Sequence, residues 1–187
     1  MSNAISRPDP GAGHPFLTFL NTVRDDGKTR TLDSFDDARG LIALLEAEGF
    51  SAPEPAPSGT QMRRLMRLRE TAYAALSAIA DGRAPGREDA LFLSDALKAV
   101  HQDAEISIGP VGLTVAPSPL CSLYEQLVLS MEDLLRSGEF ARLRECRRCT
   151  HLFLDKGRGV GRRWCSMARC GNRAKAESFR ARQRHAA

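Results

Sequence analysis

The sequence contains no long run of apolar residues. Its longest aliphatic stretches, such as LIALL at 41–45, fall far short of the ~20 residues that a membrane-spanning helix needs. The N-terminal residues contain no apolar segment of the kind that directs export. We therefore expect a protein that has no membrane partner and is located in the cytoplasm.

Aromatic residues are also scarce, at 6% of the chain, with a single tryptophan. Single-stranded nucleic acids bind largely by stacking their bases on aromatic rings, so the scarcity argues against such partners, although charge alone leaves RNA open. The sequence shows no Ser-His-Asp, paired-carboxylate or phosphate-loop pattern, and its four histidines are scattered. We therefore expect no enzymatic activity.

Cysteine is scarce but unevenly distributed, because four of the five cysteines lie in one short segment. Cys146 and Cys149 form a C-x2-C pair, Cys165 and Cys170 form a C-x4-C pair, and 15 residues separate the pairs. This spacing lets two short turns present two thiolates each to one tetrahedral zinc ion. Four thiolates leave no coordination position for water, so the pattern indicates a structural Zn²⁺ site. Two disulfides, or four unrelated buried thiols, are the alternatives.

Acidic residues are few in the same C-terminal part of the chain. Residues 136–187 contain 15 Lys/Arg and 4 Asp/Glu, whereas the preceding part contains 12 and 19. This asymmetry predicts that the C-terminal part binds a polyanion. Four arginines share one face of a helix that Ser166 is suited to cap, and three lie in the glycine-rich turn before it. The candidate phosphate-binding residues are Arg158, Arg162, Arg163, Arg169, Arg173, Arg180 and Arg184.

The rest of the chain has mainly helical periodicity. The predicted helices cover 14–23, a segment capped by Asp33 or Ser34 and ending near Gly49, and residues 61–81, 87–102 and 117–136. Alternating apolar and polar residues predict a β-hairpin over 105–115. The expected fold is mostly α with this small β-hairpin, in the α+β class. A helical domain of residues 14–138 precedes a treble-clef or ribbon-like zinc module of residues 139–187, which ends in a helix.

Several side chains receive individual predictions. Arg63, Arg64, Arg67 and Arg69 are expected on a solvated face of the 61–81 helix, and Leu91 on the apolar side of the next helix. Strand 152–154 is expected to return through the basic turn to Trp164, which fills the small core of the zinc module. Phe179 is expected to rest on the ribbon or on its neighbour, His151 to lie on the surface and Asn172 to have a structural role. Arg173 is expected to reach either a phosphate or an acid such as Asp155.

The segment FLDKGRGVGRRWCSMARCGNRAKAESFRAR resembles the CGNR zinc-finger family. That family's signature is a Cys pair, a Phe-x-Asp segment, a basic turn, Arg-Arg-Trp-Cys-Ser-Met and Cys-Gly-Asn-Arg before a basic helix. FLTFLNT at 16–22, with the helix–Cys layout at 117–146, resembles the family's N-terminal ABATE domain, described as a stress-induced transcription regulator. The resemblance implies zinc on the four clustered cysteines and DNA binding by the finger. The sequence departs from the family pattern at Thr150-His151 and in the glycine-rich turn at 157–161. Both departures are expected to alter how the turn contacts a partner.

Two functional hypotheses follow. In the first, the zinc module binds DNA while the N-terminal domain senses a small ligand or a protein, or forms a homodimer through helices 61–81 and 117–136. In the second, the zinc module is a protein-interaction or architectural element, with its arginines docked on the acidic N-terminal domain. The sequence identifies neither a base-reading residue nor a ligand.

Overall fold

The computed structural model describes residues 11–24, 27–53, 55–102, 104–110, 112–116, 122–157 and 161–185. The helices are α1 (Pro15–Leu20), α2 (Ala38–Glu46), α3 (Gly59–Ala80), α4 (Arg87–Gln102), α5 (Leu123–Arg136) and α6 (Asn172–His185). The strands are β1 (Glu105–Gly109), β2 (Gly112–Ala116), β3 (Leu143–Glu145) and β4 (Leu152–Leu154). A 3₁₀ turn (Phe140–Arg142) precedes β3, and a π-helical turn (Met167–Gly171) leads into α6. The predicted class, mostly α with a small β-hairpin and a C-terminal helix, is confirmed.

Side-chain caps fix the starts of the helices. Ser58 forms a reciprocal capping box with Gln61 at α3, and Ser122 does so with Glu125 at α5. The α5 helix therefore begins at Leu123; the predicted start at 117 lies among residues 117–121, outside the described residues. None of the helices in the described ranges is both long enough and apolar enough to span a membrane.

The cap of α2 differs from the prediction. Asp37 caps this helix by accepting a hydrogen bond from the backbone N–H of Gly40, so the prediction of Asp33 or Ser34 is wrong. Asp33 is used elsewhere: its carboxylate accepts from the guanidinium of Arg69 at 2.7 Å.

The main core surrounds α1, in which Phe16, Leu17, Phe19 and Leu20 are fully buried. Leu65, Leu68, Ala72 and Leu76 of α3 and Leu127, Val128, Met131 and Leu134 of α5 pack in the same cluster. The strands that flank the first cysteine pair belong to it too, because Leu143, Leu152 and Leu154 are part of that cluster. The N-terminal helices and the β3–β4 hairpin therefore share one hydrophobic core.

Two predictions about side-chain exposure are wrong. Arg69 is only 4% exposed, because it donates to the hydroxyl and carbonyl oxygens of Thr22 and pairs with the Asp33 and Glu70 carboxylates. A buried guanidinium requires such partners, and a local sequence pattern does not reveal them. In α4, Leu91 is 52% exposed, and Leu93 faces the core in its place.

The β1–β2 hairpin is antiparallel, with Glu105 opposite Ala116 and Gly109 opposite Gly112, as predicted. The second hairpin differs from the prediction. Strand β4 pairs antiparallel with β3, with Leu143 opposite Leu154, instead of pairing with the chain that returns to Trp164. The hairpin therefore encloses the first cysteine pair.

Candidate metal centre and basic helix

The four clustered cysteines meet in one buried site. Their sulfur atoms all lie within 4.8 Å of one another, and the sulfurs of Cys149, Cys165 and Cys170 are each 3.6 Å apart. A disulfide would place two sulfurs about 2.05 Å apart. A tetrahedron of thiolates with Zn–S bonds of about 2.3 Å has edges of about 3.8 Å, so the spacing fits a tetrathiolate metal site.

The first pair sits on a tight turn between β3 and β4. The backbone N–H of Cys146 donates to the carbonyl oxygen of His151 at 2.9 Å, and the backbone N–H of His151 donates to the Cys149 sulfur at 3.5 Å. The backbone N–H of Arg147 donates to the carbonyl oxygen of Arg163 at 3.1 Å, which joins this turn to the segment that carries the second pair. These bonds shape the ligand turn and tie it to the second cysteine pair.

The second pair lies where the chain enters the C-terminal helix. Ser166 caps the π-helical turn by accepting from the backbone N–H of Arg169, as predicted, and Cys170 lies in that turn. The next residue, Gly171, is buried, and a Cβ atom there would overlap Met167 Sδ and lie 3.2 Å from Trp164 Cδ1. The close approach of these two side chains therefore explains the glycine beside the last ligand.

The thiols differ in how readily they ionise without a cation: hydrogen bonds with Cys149 and Cys165 lower the pKa of Cys146, whereas the pKa values of the other three are raised. Contacts with the sulfurs of Cys146 and Cys149, reinforced by burial, raise the pKa of Cys165. A divalent cation would reverse this preference by stabilising the thiolates, and its binding would release protons. A set of four cysteine sulfurs is the donor set that zinc prefers for a structural site.

The carboxylate of Asp155 stabilises the basic turn that leads to Trp164. The Asp155 carboxylate accepts from the backbone N–H groups of Gly157 and Arg162 at 3.1 and 2.9 Å. These two hydrogen bonds lower the pKa of Asp155. The glycines are needed close to this carboxylate, since a Cβ at Gly157 or at Gly161 would lie 3.0 or 3.1 Å from its oxygens.

The candidate arginines occupy different environments. Arg162 is half-buried: it donates to the carbonyl oxygens of Gly11, Trp164 and Cys165, and its guanidinium lies 4.5 Å from the centre of the Phe153 ring. It holds the module together, so the structure does not place it on an exposed phosphate-binding surface. Arg169 is also half-buried. The exposed candidates are Arg163, Arg173, Arg180 and Arg184, and Arg158 lies outside the described residues.

The C-terminal helix is attached to the cysteine site through a residue that the sequence did not single out. Arg148, between the first two cysteines, donates to Glu177 of α6 at 2.8 and 3.2 Å, and this pairing raises the pKa of Arg148 and lowers that of Glu177. Otherwise α6 packs mainly on the π-helical turn that leads into it. Phe179 is 56% exposed, so the prediction that it rests on the ribbon or on its neighbour is wrong.

The module meets the N-terminal helices through buried hydrogen bonds. The Asn21 side chain donates to the carbonyl oxygen of Leu152 at 2.8 Å and accepts from its N–H at 2.9 Å. His151 is 2% exposed and its Nε2 lies 3.0 Å from the carbonyl oxygen of Val23, so the prediction of a surface histidine is wrong. Thr150 is 2% exposed and its hydroxyl donates to the carbonyl oxygen of Thr29 at 3.5 Å, so both residues that depart from the family pattern face the segment that follows α1.

Charged contacts reinforce this junction. Lys28 donates to the carbonyl oxygen of Cys146 at 2.6 Å and pairs with Glu145, which also accepts from the hydroxyl of Ser77. In this contact the N-terminal part supplies the cation and the zinc module the anion, opposite to the overall charge asymmetry. Arg180 and Arg184, exposed on α6, are not part of it.

The clefts of the described N-terminal part include open ones of about 560 Å³ beside Arg39 and Pro55 and about 510 Å³ beside Lys28 and Ser77, and a smaller, more enclosed one. This last cleft measures about 100 Å³ and lies between Pro53, Pro57, α3 and the start of α5. Sites that hold drug-sized ligands measure about 300–1,000 Å³. A ligand-sensing role for this part therefore stays a prediction.

Comparison with known families agrees with these two parts. A model described as "ABATE: Putative stress-induced transcription regulator" matches residues 13–138, about two thirds of the chain. The chain belongs to the ABATE family. The model of the CGNR zinc finger matches residues 142–183, which include the cysteine site and most of α6. No match to the chain was found among curated proteins. The ABATE region and the CGNR finger thus meet at the junction formed by Asn21 and Leu152.

Proposed function

We propose that this protein is a DNA-binding transcriptional regulator, and that its CGNR finger holds a structural Zn²⁺ ion on Cys146, Cys149, Cys165 and Cys170. The observation that carries the proposal is the exposure of Arg173, Arg180 and Arg184 on one side of α6, a helix that leaves the cysteine site and packs on little else. Guanidinium groups in such a row suit the phosphates of a nucleic acid backbone.

The charge distribution at the junction supports DNA binding over a purely architectural role. An architectural finger would use the α6 arginines against the acids of the ABATE region. The contact is made instead by the β3–β4 hairpin and Lys28, while Arg180 and Arg184 are exposed. The arginine row is therefore accessible to a polyanion.

We further propose that the protein acts in the cytoplasm and without catalysis. A tetrathiolate site has no open position for a reacting water molecule, and clustered free thiols suit a reducing compartment. Sensing and dimerisation by the ABATE region stay predictions. The apolar stripes of α3 and α5, which we considered for a dimer face, are used in the core of the monomer.

The zinc proposal is tested by elemental analysis of the purified protein. We expect about one zinc per chain. Cys165→Ser should lose most of the metal, whereas Cys121→Ser, outside both cysteine pairs, should keep it. Absence of zinc from the parent, or unchanged zinc in Cys165→Ser, would contradict the tetrathiolate site.

The DNA proposal is tested by fluorescence anisotropy with a mixed-sequence duplex over a range of salt concentrations. Each phosphate contact contributes about 0.9 to the slope of log affinity against log salt, so replacing Arg173, Arg180 and Arg184 by Ala should reduce the slope by about 2.7. The matched control replaces Arg39, Arg63 and Arg87, exposed arginines of the ABATE region, and should leave the slope unchanged. No binding at low salt, or equal slopes for the two triple variants, would refute the proposal.

A further inference from the structure

One side of α6 is neutral. Asn172, Ala176, Phe179 and Gln183 recur at i, i+4, i+7 and i+11, so they lie on a single stripe of the helix, and all four are exposed. Phe179, at 56%, is the one aromatic side chain of the described residues that is mostly exposed. We call these four residues the neutral stripe.

Exposed cations border the neutral stripe on both sides. At 100° per residue, Lys175 and Arg182 lie roughly 40–60° from Phe179 in one direction around the helix. Arg173, Arg180 and Arg184 lie roughly 100–140° from it in the other direction. An exposed phenylalanine alone carries no information, because single apolar residues are common on protein surfaces. Its position between two cationic rows is what points to a ligand.

The neutral stripe faces away from the rest of the protein. Ala174 and Ala181, the half-buried residues of α6, lie roughly 140–160° around the helix from Phe179. The pairing of Glu177 with Arg148 is also on the far side from Lys175 and Arg182. Packing within the fold therefore does not account for Phe179.

We propose that α6 enters the major groove of B-form DNA with Ala176, Phe179 and Gln183 against the base edges, and that these residues favour A·T pairs. This inference rests on the proposed DNA binding. The major groove is about 12 Å wide, which matches the about 10–12 Å diameter of a helix, and cations on both sides can reach both strands. The deep, narrow major groove of A-form RNA does not admit such a helix.

The chemistry of the stripe selects the base pair. Alanine and phenylalanine make apolar contact with the 5-methyl group of thymine, and glutamine donates to and accepts from adenine at N7 and N6. Asn172 is not among the residues proposed to contact bases, because its side chain already donates to the carbonyl oxygen of Ala168 at 3.1 Å. The stripe contains no cation for the bidentate contact with guanine that Arg or Lys makes.

The experiment uses the full zinc-loaded chain and short duplexes of alternating dA-dT, dA-dU and dG-dC sequence at one low salt concentration. Wild type should bind dA-dT most tightly, about tenfold over dG-dC for one well-formed adenine contact. It should lose about fourfold on dA-dU for each thymine methyl group that is contacted. Phe179→Ala should narrow the difference between dA-dT and dA-dU with an unchanged salt slope, because Ala176 still contacts a thymine methyl group. Leu91→Ala, which removes an exposed apolar side chain of α4, should behave as wild type.

The outcomes separate this inference from the proposed function. Salt-dependent binding that needs the α6 arginines but is equal on all three duplexes overturns the inference and leaves DNA binding intact. A preference for dA-dT over dA-dU that is as large in Phe179→Ala as in wild type also overturns it, as does equally tight binding of an A-form rA-rU duplex. Failure of the wild type to bind any duplex refutes both. Circular dichroism and zinc content of Phe179→Ala serve to exclude misfolding, which we do not expect at a mostly exposed position.

Discussion

Asn21→Ala is the substitution that tests the junction between the ABATE region and the CGNR finger. The Asn21 side chain is 5% exposed and satisfies both backbone groups of Leu152, which is itself fully buried. Removing it leaves one buried donor and one buried acceptor without a partner, at about 1–3 kcal/mol each. We therefore expect the free energy of unfolding to fall by about 2–6 kcal/mol, a large part of the about 5–15 kcal/mol that holds a typical domain together.

The assay is urea denaturation of the zinc-loaded protein, followed by the fluorescence of Trp164 in the finger and by circular dichroism of the helices. The two probes should report the same lowered midpoint with an unchanged m-value, because the finger and the helices share one core. Asn172→Ala is the matched control, since it loses a single hydrogen bond at an exposed position, and should cost less than about 1 kcal/mol. A loss below that value for Asn21→Ala, or separate transitions by the two probes, would refute the shared-core reasoning.

Two further predictions concern packing and pH. Gly171→Ala should cost less than about 1 kcal/mol, because the Met167 side chain that the new Cβ overlaps is half exposed and can turn away, and adding Met167→Ala should remove the loss in a double-mutant cycle followed by urea denaturation. Burial raises the pKa of Glu70, but hydrogen bonds and charge from Arg30 and Arg69 outweigh it and lower the pKa overall. The stabilisation by Glu70 should therefore be complete above its unfolded pKa of about 4.3 and be lost as the pH falls through the lower folded value. Thermal unfolding of wild type and Glu70→Gln should converge over that acidic range, and a constant difference down to acidic pH would contradict the assignment.

The features that the sequence predicted correctly are local ones. The spacing of the cysteines brings four sulfurs together because each pair lies on one short turn or at a helix start, and the helices follow from the spacing of their apolar residues. Ser166 was identifiable as a cap because the residue that it caps is three positions away. Such features need no knowledge of distant parts of the chain.

Apart from the cap of α2 and the exposure of Leu91, which are local errors, the failures involve partners distant in sequence. Arg69 is buried against Asp33 and Thr22, which lie in another segment of the chain. His151 is buried against the carbonyl oxygen of Val23. Helical periodicity places an arginine on a face but does not say what covers that face. The prediction for Phe179 is wrong in the opposite sense, because an apolar side chain was expected to pack inside the fold and is exposed instead.

The arrangement of the shared core bears on how the protein can act. Leu143 and Leu152 flank the first cysteine pair and pack in the core built around α1, while Arg148, inside that pair, holds α6 through Glu177. A metal that fixes this turn therefore stabilises the ABATE core and orients α6 through one short segment. A change at α1 that moves the Asn21 contact would in turn move the cysteine turn and the helix that we propose to enter DNA. The ABATE region and the CGNR finger need no flexible linker between them, because the β3–β4 hairpin belongs to the finger and packs in the core of the ABATE region.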